Sequence, residues 1–225
     1  MIEVILDTET TGLSITDKHR IVEIGCIELK NQIPTNKIFH QYINPMRTVS
    51  ENAYKIHGYS DDFLSDKETF SQIGKSFIDF IKDKKIIIHN AAFDLSFLNN
   101  ELKIINLDKI DKSFVIDTLE LARQKYPGAQ NSLDALCKRF NIDNSRREKH
   151  SALVDCELLK EVYINILDQK EPKFNFHDRE NINSNKSNNI FFTKNKLRKV
   201  IQISSKEKQL HKIYLKDQLS KNYFD

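Results

Sequence analysis

Three short stretches of this chain carry side chains that could do chemistry. In Ile5-Leu6-Asp7-Thr8-Glu9-Thr10-Thr11-Gly12, two acids stand one residue apart at the end of an apolar run. In extended backbone, side chains two apart share a face, so Asp7 and Glu9 converge. Facing carboxylates repel unless a cation lies between them. His89-Asn90-Ala91-Ala92-Phe93-Asp94 follows the apolar Ile86-Ile87-Ile88 and sets Asp94 near the start of a helix. His150-Ser151-Ala152-Leu153-Val154-Asp155 separates a histidine and an acid by five residues. On one continuous helix that spacing leaves the two side chains roughly 140° apart, so they share a site only with His150 on the loop before the helix. Taken singly, each stretch has an ordinary reading as strand-end acids, a carboxylate favoured by a helix dipole, or a surface histidine. Together they supply four acids and one histidine, each at the edge of an element. Hard oxygen donors of this kind suit Mg²⁺ or Mn²⁺. A histidine beside them suits general-base work.

The elements that must position these residues can be read from the pattern. Val4-Ile5-Leu6 predicts a central strand, with Arg20 to Lys30 and Lys37 to Ile43 as further strands of the same sheet. Phe70, Ile73, Phe77 and Ile81 recur at helical spacing and predict a helix over residues 69–82. Ile86–Ile88 and Val115-Ile116 read as short strands. Helices are expected over Phe93–Leu102, over Thr118–Tyr126 before Pro127-Gly128, from a Ser132 cap to Phe140, and over Ser151–Leu167. Strands that first pair with one another and then alternate with helices describe an α/β fold, a mixed sheet flanked by helices.

The pattern breaks after Leu167. Residues 169–195 are rich in Asn, Lys and Ser and read as a flexible linker. Leu197, Val200, Ile201 and Ile203 then suggest a short extended segment. Ser204-Ser205-Lys206-Glu207 offers a capping box for a helix carrying Leu210, Ile213, Tyr214 and Leu219. The expected organisation is therefore a folded domain over 1–168, a linker over 169–195 and a short amphipathic end over 196–225.

Composition narrows the class. No apolar run approaches the roughly 20 residues of a membrane helix, and no charged-then-apolar export signal opens the chain. Cys26, Cys137 and Cys156 have no metal-ligand spacing and read as reduced thiols of a cytoplasmic protein. The net charge of +3 is unevenly spread: residues 1–168 hold 22 Lys and Arg against 26 Asp and Glu, and residues 169–225 hold 13 against 6. A net-acidic body does not bind nucleic acid through a broad basic surface, which again points to bound metal as the local counter-charge.

In their order and separations, DTETTG, HNAAFD and H-x4-D resemble the three motifs of the DEDDh 3′→5′ exonucleases. Pro127 to Cys137, Ile142 to Arg146 and Ile56-His57-Gly58 are similar to one branch of that family, the proofreading (epsilon) subunits of bacterial DNA polymerase III. The resemblance is close over residues 2–168 and weaker over Lys196–Lys221. It implies an RNase H-like fold and two Mg²⁺ or Mn²⁺ ions per active site. By matching position it implies Asp7, Glu9 and Asp155 as metal ligands that also meet the substrate, with Asp94 joining them directly or through water. His150 would take a proton from the attacking water, so activity should rise from acid toward neutral pH.

Thr10 and Leu13 would flank the terminal nucleotide, and His57 matches a substrate-contacting histidine. Asn52 stands where the best-known members have a substrate-contacting glutamate. Phe93 would pack beside the terminal base, although as a core aromatic it needs no such role. Asp117 and Asp134 are expected in structural roles such as helix capping. The implied partners are the 3′ end of DNA, the alpha polymerase subunit at the C-terminal segment, and a small theta-like subunit. Gln169 to Phe174 would give weak or no contact with a sliding clamp, because Pro172 and lysines replace its apolar part. The same catalytic residues would also serve a free-standing exoribonuclease of the RNase T or oligoribonuclease kind. A fold kept only as a non-catalytic assembly module would have no use for intact acids.

Overall fold

A computed structural model describes residues 2–145, 147, 149–167 and 204–217. They belong to two units, Met1–Lys173 and Phe174–Asp225.

In the first unit, β1 (Ile2–Thr10), β2 (Ile21–Lys30) and β3 (Ile33–Tyr42) pair antiparallel in chain order. The β2–β3 turn sets Asn31 and Gln32 at φ 52° and 66°, the left-handed pair that a tight hairpin requires. Two further strands, β4 (Lys85–Ile88) and β5 (Val115–Asp117), add in parallel to the other side of β1, giving the order β3-β2-β1-β4-β5. β1 is thus central, which is why its apolar run is continuous rather than alternating.

Among the described residues of this unit, seven α-helices surround the sheet: α1 (Glu51–His57), α2 (Asp61–Ser65), α3 (Phe70–Ile81), α4 (Ala91–Ile104), α5 (Thr118–Lys125), α6 (Leu133–Phe140) and α7 (Ala152–Ile166). The pleat of β1 divides the core. Val4 and Leu6 pack with Phe77 of α3 and Leu95 and Leu98 of α4. Ile5 faces the other way, onto Cys156, Leu159 and Tyr163 of α7. Behind α7, Val162 and Ile166 join Ala122 of α5 and Leu136 of α6. Continuing the same alternation, Thr8 faces the α4 side while Asp7 and Glu9 face the α7 side. The mixed, helix-flanked sheet agrees with the expected architecture.

The differences are local. β3 begins at Ile33 rather than Lys37, because an edge strand tolerates Pro34. α4 begins at Ala91, two residues before Phe93. The sequence pattern leaves residues 51–65 unassigned. The structure has α1 and α2 there, each capped by a serine: Ala53 N donates to Ser50 Oγ at 3.3 Å and Phe63 N to Ser60 Oγ at 3.1 Å. Cys26, Cys137 and Cys156 are all buried and free.

In the second unit, α8 (Ser205–Asp217) begins with the expected box. Ser204 N and Oγ donate to Glu207 Oε2 at 2.8 and 2.7 Å, and Glu207 N donates back to Ser204 Oγ at 3.3 Å. The expected linker, the Gln169–Phe174 peptide, the segment from Leu197 to Ile203 and Leu219 lie outside the described residues. Among the described residues no helix is long and apolar enough to cross a membrane.

Candidate active site

Each acid reaches the carboxyl end of the sheet by its own device. Asp7 and Glu9 lie on β1 beyond its pairing with β4, which ends at Ile5–Ile87. Across the strand pair, Asp7 stands opposite Gly25 and Glu9 opposite Glu23. The chain leaving β4 turns through Asn90 at φ 65°, a conformation asparagine tolerates. The amides of Asn90 and Ala91 donate to Asp117 at 3.1 and 3.0 Å, and Asp117 also caps α5 by accepting from Leu119 N at 2.8 Å. This turn starts α4 over the sheet and puts Asp94 in its first turn. There Thr8 Oγ1 donates to Asp94 Oδ1 at 2.6 Å.

Asp155 enters from α7, whose start is pressed onto β2. A Cβ on Gly25 would meet the Ala152 carbonyl carbon at 2.6 Å, so only glycine permits this approach. Ser151 gives α7 no side-chain cap. The buried Glu23 supplies one from outside, accepting from Ala152 N and Ser151 Oγ, both at 2.9 Å. His150 sits on the loop before the helix, as its spacing requires, and its N donates to the Ile56 carbonyl at 3.2 Å.

These groups line one cleft of about 680 Å³. Asp94 and Asp155 are 3% exposed and Glu9 9%, so like charges meet with little water. Burial first, then Asp94, Glu9 and Asp155, push Asp7 well above its ordinary value. Burial with Asp155, Glu23 and Asp94 raises Glu9 to about 8. Asp94 is pushed up to about 7 by burial, against the lowering pull of the Thr8 hydroxyl. At Asp155, burial works upward but is outweighed by contacts with His150 and Arg147, which hold it below the usual range.

Glu9, His150 and Asp155 each bring a donor atom within 4.8 Å of the others. A set of hard oxygens whose burial and mutual repulsion suppress ionisation fits a divalent cation, because the cation offsets the penalty on their charged forms.

Arg147 is the cation the sequence reading passed over. Its Nε and Nη2 donate to the two Asp155 oxygens at 2.6 and 2.8 Å, and its Nη1 donates to Asp134 Oδ1 at 2.6 Å. Asp134 is therefore an ion-pair partner rather than a cap; Ser132 caps α6. Arg147 Nη2 lies 2.9 Å from His150 Nδ1. A guanidinium can only donate, so Nδ1 accepts and the imidazole carries its proton on Nε2. Asp155 Oδ2 is farther from Nδ1, at 3.5 Å.

A second cleft of about 340 Å³ adjoins the first and shares Thr8, Glu9, Leu13 and Phe93 with it. Leu13 is 81% exposed at the rim, and Asn52 is exposed on α1. Phe93 is half-buried, its ring 5.0 Å from that of Phe97. Thr10 is buried and donates through Oγ1 to the Gly12 carbonyl at 2.7 Å. His57, at the end of α1, accepts at Nδ1 from Tyr59 N at 3.0 Å. Its buried Nε2 has no hydrogen-bond partner, leaving a donor beside the cleft. Every residue expected to bind metal, to catalyse or to contact substrate therefore lines one of two contiguous clefts, whereas Asp117 lines neither. Thr8, Glu23 and Arg147 were missed. Of these only Glu23, an acid within an apolar strand run, left a trace in the sequence.

Comparison with known proteins identifies the family. The model of the exonuclease (RNase T) family matches residues 4–163. A Rickettsia typhi protein named DNA polymerase III subunit epsilon is 47% identical over 217 residues, 95% of each chain. The structure of exonuclease X in complex with 5′-overhanging duplex DNA superposes with a TM-score of 0.57 at 26% identity, over 74% of this chain and 92% of that one. The fold also matches the nuclease domain of 3′hExo, described as a DEDDh family member bound to rAMP, with a TM-score of 0.65 at 20% identity over 75% of this chain and 92% of that one. By its matched family model and its identity to these relatives, the chain belongs to the exonuclease family, in the branch of the DNA polymerase III epsilon subunits.

Proposed function

We propose that this chain is the proofreading subunit of the replicative DNA polymerase, a metal-dependent 3′→5′ exonuclease that removes mismatched 3′ nucleotides as nucleoside 5′-monophosphates. One observation carries the reading: acids from three distant segments, with a histidine at the lip, meet in a single cleft at the carboxyl end of β1. Asp7, Glu9 and Asp155 would hold two divalent cations, Mg²⁺ or Mn²⁺, with Asp94 joining them directly or through water. When bound, such ions polarise phosphoryl oxygens and make water a better nucleophile.

The chain's own residues do the rest. Thr8 holds Asp94 in orientation, and Glu23 fixes the start of α7 and hence both Asp155 and the backbone beside His150. His150, half-exposed at the lip, would take the proton of the attacking water, which requires Arg147 to release its acceptor nitrogen Nδ1. Leu13 and Phe93 offer apolar faces to the terminal nucleotide. Thr10, Asn52 and the unpartnered His57 Nε2–H offer polar contacts in the adjoining cleft.

The C-terminal segment, residues 196–225, would dock on the alpha polymerase subunit from a tether over 169–195, in the cytoplasm. In support, α8 opens with a complete capping box, and the likeness to the Rickettsia typhi protein spans 95% of the chain, well past the 4–163 of the family match. A small theta-like subunit is a further partner, and clamp contact through Gln169–Phe174 is weak or absent.

The test is degradation of a mismatched primer–template by the full chain with Mn²⁺ or Mg²⁺. Cleavage should be metal-dependent, lost in Asp155→Ala, and reduced about 10²–10⁴-fold in His150→Gln. A clear preference for matched RNA over the mismatched primer would replace proofreading with the exoribonuclease reading.

A further inference from the structure

We propose that Arg147 is the resident counter-cation of the acid cluster, and that its exchange between Asp155 and Asp134 sets how tightly the site takes a divalent cation. The inference rests on the reading above, that the cluster is the metal site.

The guanidinium covers both oxygens of Asp155, at 2.6 and 2.8 Å, with the two side chains 8% and 5% exposed. A divalent ion cannot use Asp155 at full strength while that chelate stands. The two cations would compete for the same lone pairs and repel each other at short range. The same Nη2 also donates to His150 Nδ1 at 2.9 Å, so the one side chain engages both the acid and the histidine that the reaction needs.

The arginine has somewhere else to go. Nη1 already reaches Asp134 Oδ1 at 2.6 Å, where Asn144 Nδ2 also donates at 3.2 Å, and the Asp134 side chain is 58% exposed. Asp134 lies in the first turn of α6, a rigid support outside the acid cluster. Withdrawal from Asp155 toward Asp134 would keep the guanidinium paired while freeing Asp155 for metal and Nδ1 for rotation of the imidazole. The bridge between two carboxylates therefore gives the one cation an alternative partner, and metal concentration would select between them.

Removing the arginine and removing its alternative partner have effects of opposite sign. In the full chain freed of metal, Mn²⁺ binding is measured by paramagnetic resonance of the free ion. Arg147→Met, which keeps the length and removes the charge, should tighten Mn²⁺ about tenfold or more, the scale of a lost charge-assisted competitor. It should also lower the melting temperature of the metal-free chain while enlarging the gain on adding Mn²⁺. Asp134→Asn removes the alternative partner and should weaken Mn²⁺ several-fold.

If Arg147→Met does not fold, Arg147→Lys takes its place. A lysine cannot chelate both oxygens, so metal should again bind more tightly than in the parent. Unchanged or weaker Mn²⁺ binding in a folded Arg147 variant overturns the proposal, as does Asp134→Asn tightening rather than weakening it. Failure of the parent chain itself to bind Mn²⁺ would instead bring down the metal-site reading, and the exchange with it.

Discussion

The carboxyl groups of the cleft do not titrate alike, and the differences have a sign that can be worked out. Glu9 is raised from 4.5 to about 8 and Asp94 from 3.8 to about 7, in each case by burial first. Between the unfolded and folded values, the metal-free folded chain holds protons that the unfolded chain has released. Its stability must therefore fall as pH rises across that window. Asp155, held low, has the opposite sign, and its contribution is lost only as pH drops into the acid range. A divalent cation replaces those protons. The melting temperature of the metal-free chain should thus decline from about pH 5 to about pH 8, and the gain on adding Mn²⁺ should grow over the same range. Calorimetry in buffers of different ionisation enthalpy should show protons released on Mn²⁺ binding near neutral pH. A melting temperature that rises over the window, with no proton release, would mean that the acids are already ionised and apart.

What holds those residues in place is the junction of β2, β3, α1 and α7, and Glu23 is its centre. It is fully buried, yet its carboxyl stays below the ordinary value: burial works to raise it, and bonds from His40, Ala152, Tyr59 and Ser151 outweigh that. His40 Nε2 and Tyr59 OH each lie at 2.7 Å. Glu23→Gln keeps the shape, removes the charge facing the α7 amide, and sets an NH₂ against donors. It should cost roughly 1–3 kcal/mol of stability for each donor left unpaired. It should also lower kcat more than it raises KM for a DNA 3′ end, since Leu13, Asn52 and Phe93 are untouched. An equal melting temperature and kcat would remove Glu23 from any positioning role. This junction was illegible in the sequence for a physical reason. Every residue of β2 but Lys30 is buried, so no alternation marks which side chains face which neighbour. Glu23's partners lie 17, 36 and 128 residues away. Asp7, Asp94 and Asp155 were legible because each stands at the end or the start of an element rich in apolar residues. α1 and α2 were not, because they bury so little, Ala53 and His57 in one and Leu64 in the other. Their signals were local: Ser50, Ser60, and Gly58 at φ 80°. Arg147 sits on a loop without period, and its meaning comes only from the side chains around it.

At the scale of the chain, the docking role proposed for the tail makes chemistry and assembly separable by truncation. Among the described residues, the members of all three apolar clusters lie between Val4 and Leu167, the span of the sheet and its helices. The charge divides in the same way. Residues 1–168, with 22 Lys and Arg against 26 Asp and Glu, are net −4, whereas residues 169–225, with 13 against 6, are net +7. A net-acidic catalytic body gains little from general attraction to a polyanion, so its hold on a 3′ end depends on local cations and on delivery by a partner. A chain ending at Leu167 should therefore melt cooperatively near the temperature of the full chain and still degrade a short mismatched primer with Mn²⁺. It should no longer co-elute with the polymerase. Its rate on a primer held by the polymerase should fall to that of the free nuclease, because the effective concentration supplied by tethering is gone. Addition of a separate peptide spanning residues 196–225 should displace the full chain from the polymerase without changing hydrolysis by the shortened one. Co-elution of the shortened chain would move the docking surface onto the catalytic body, and failure of the full chain to co-elute would end the assignment of a docking role to the tail.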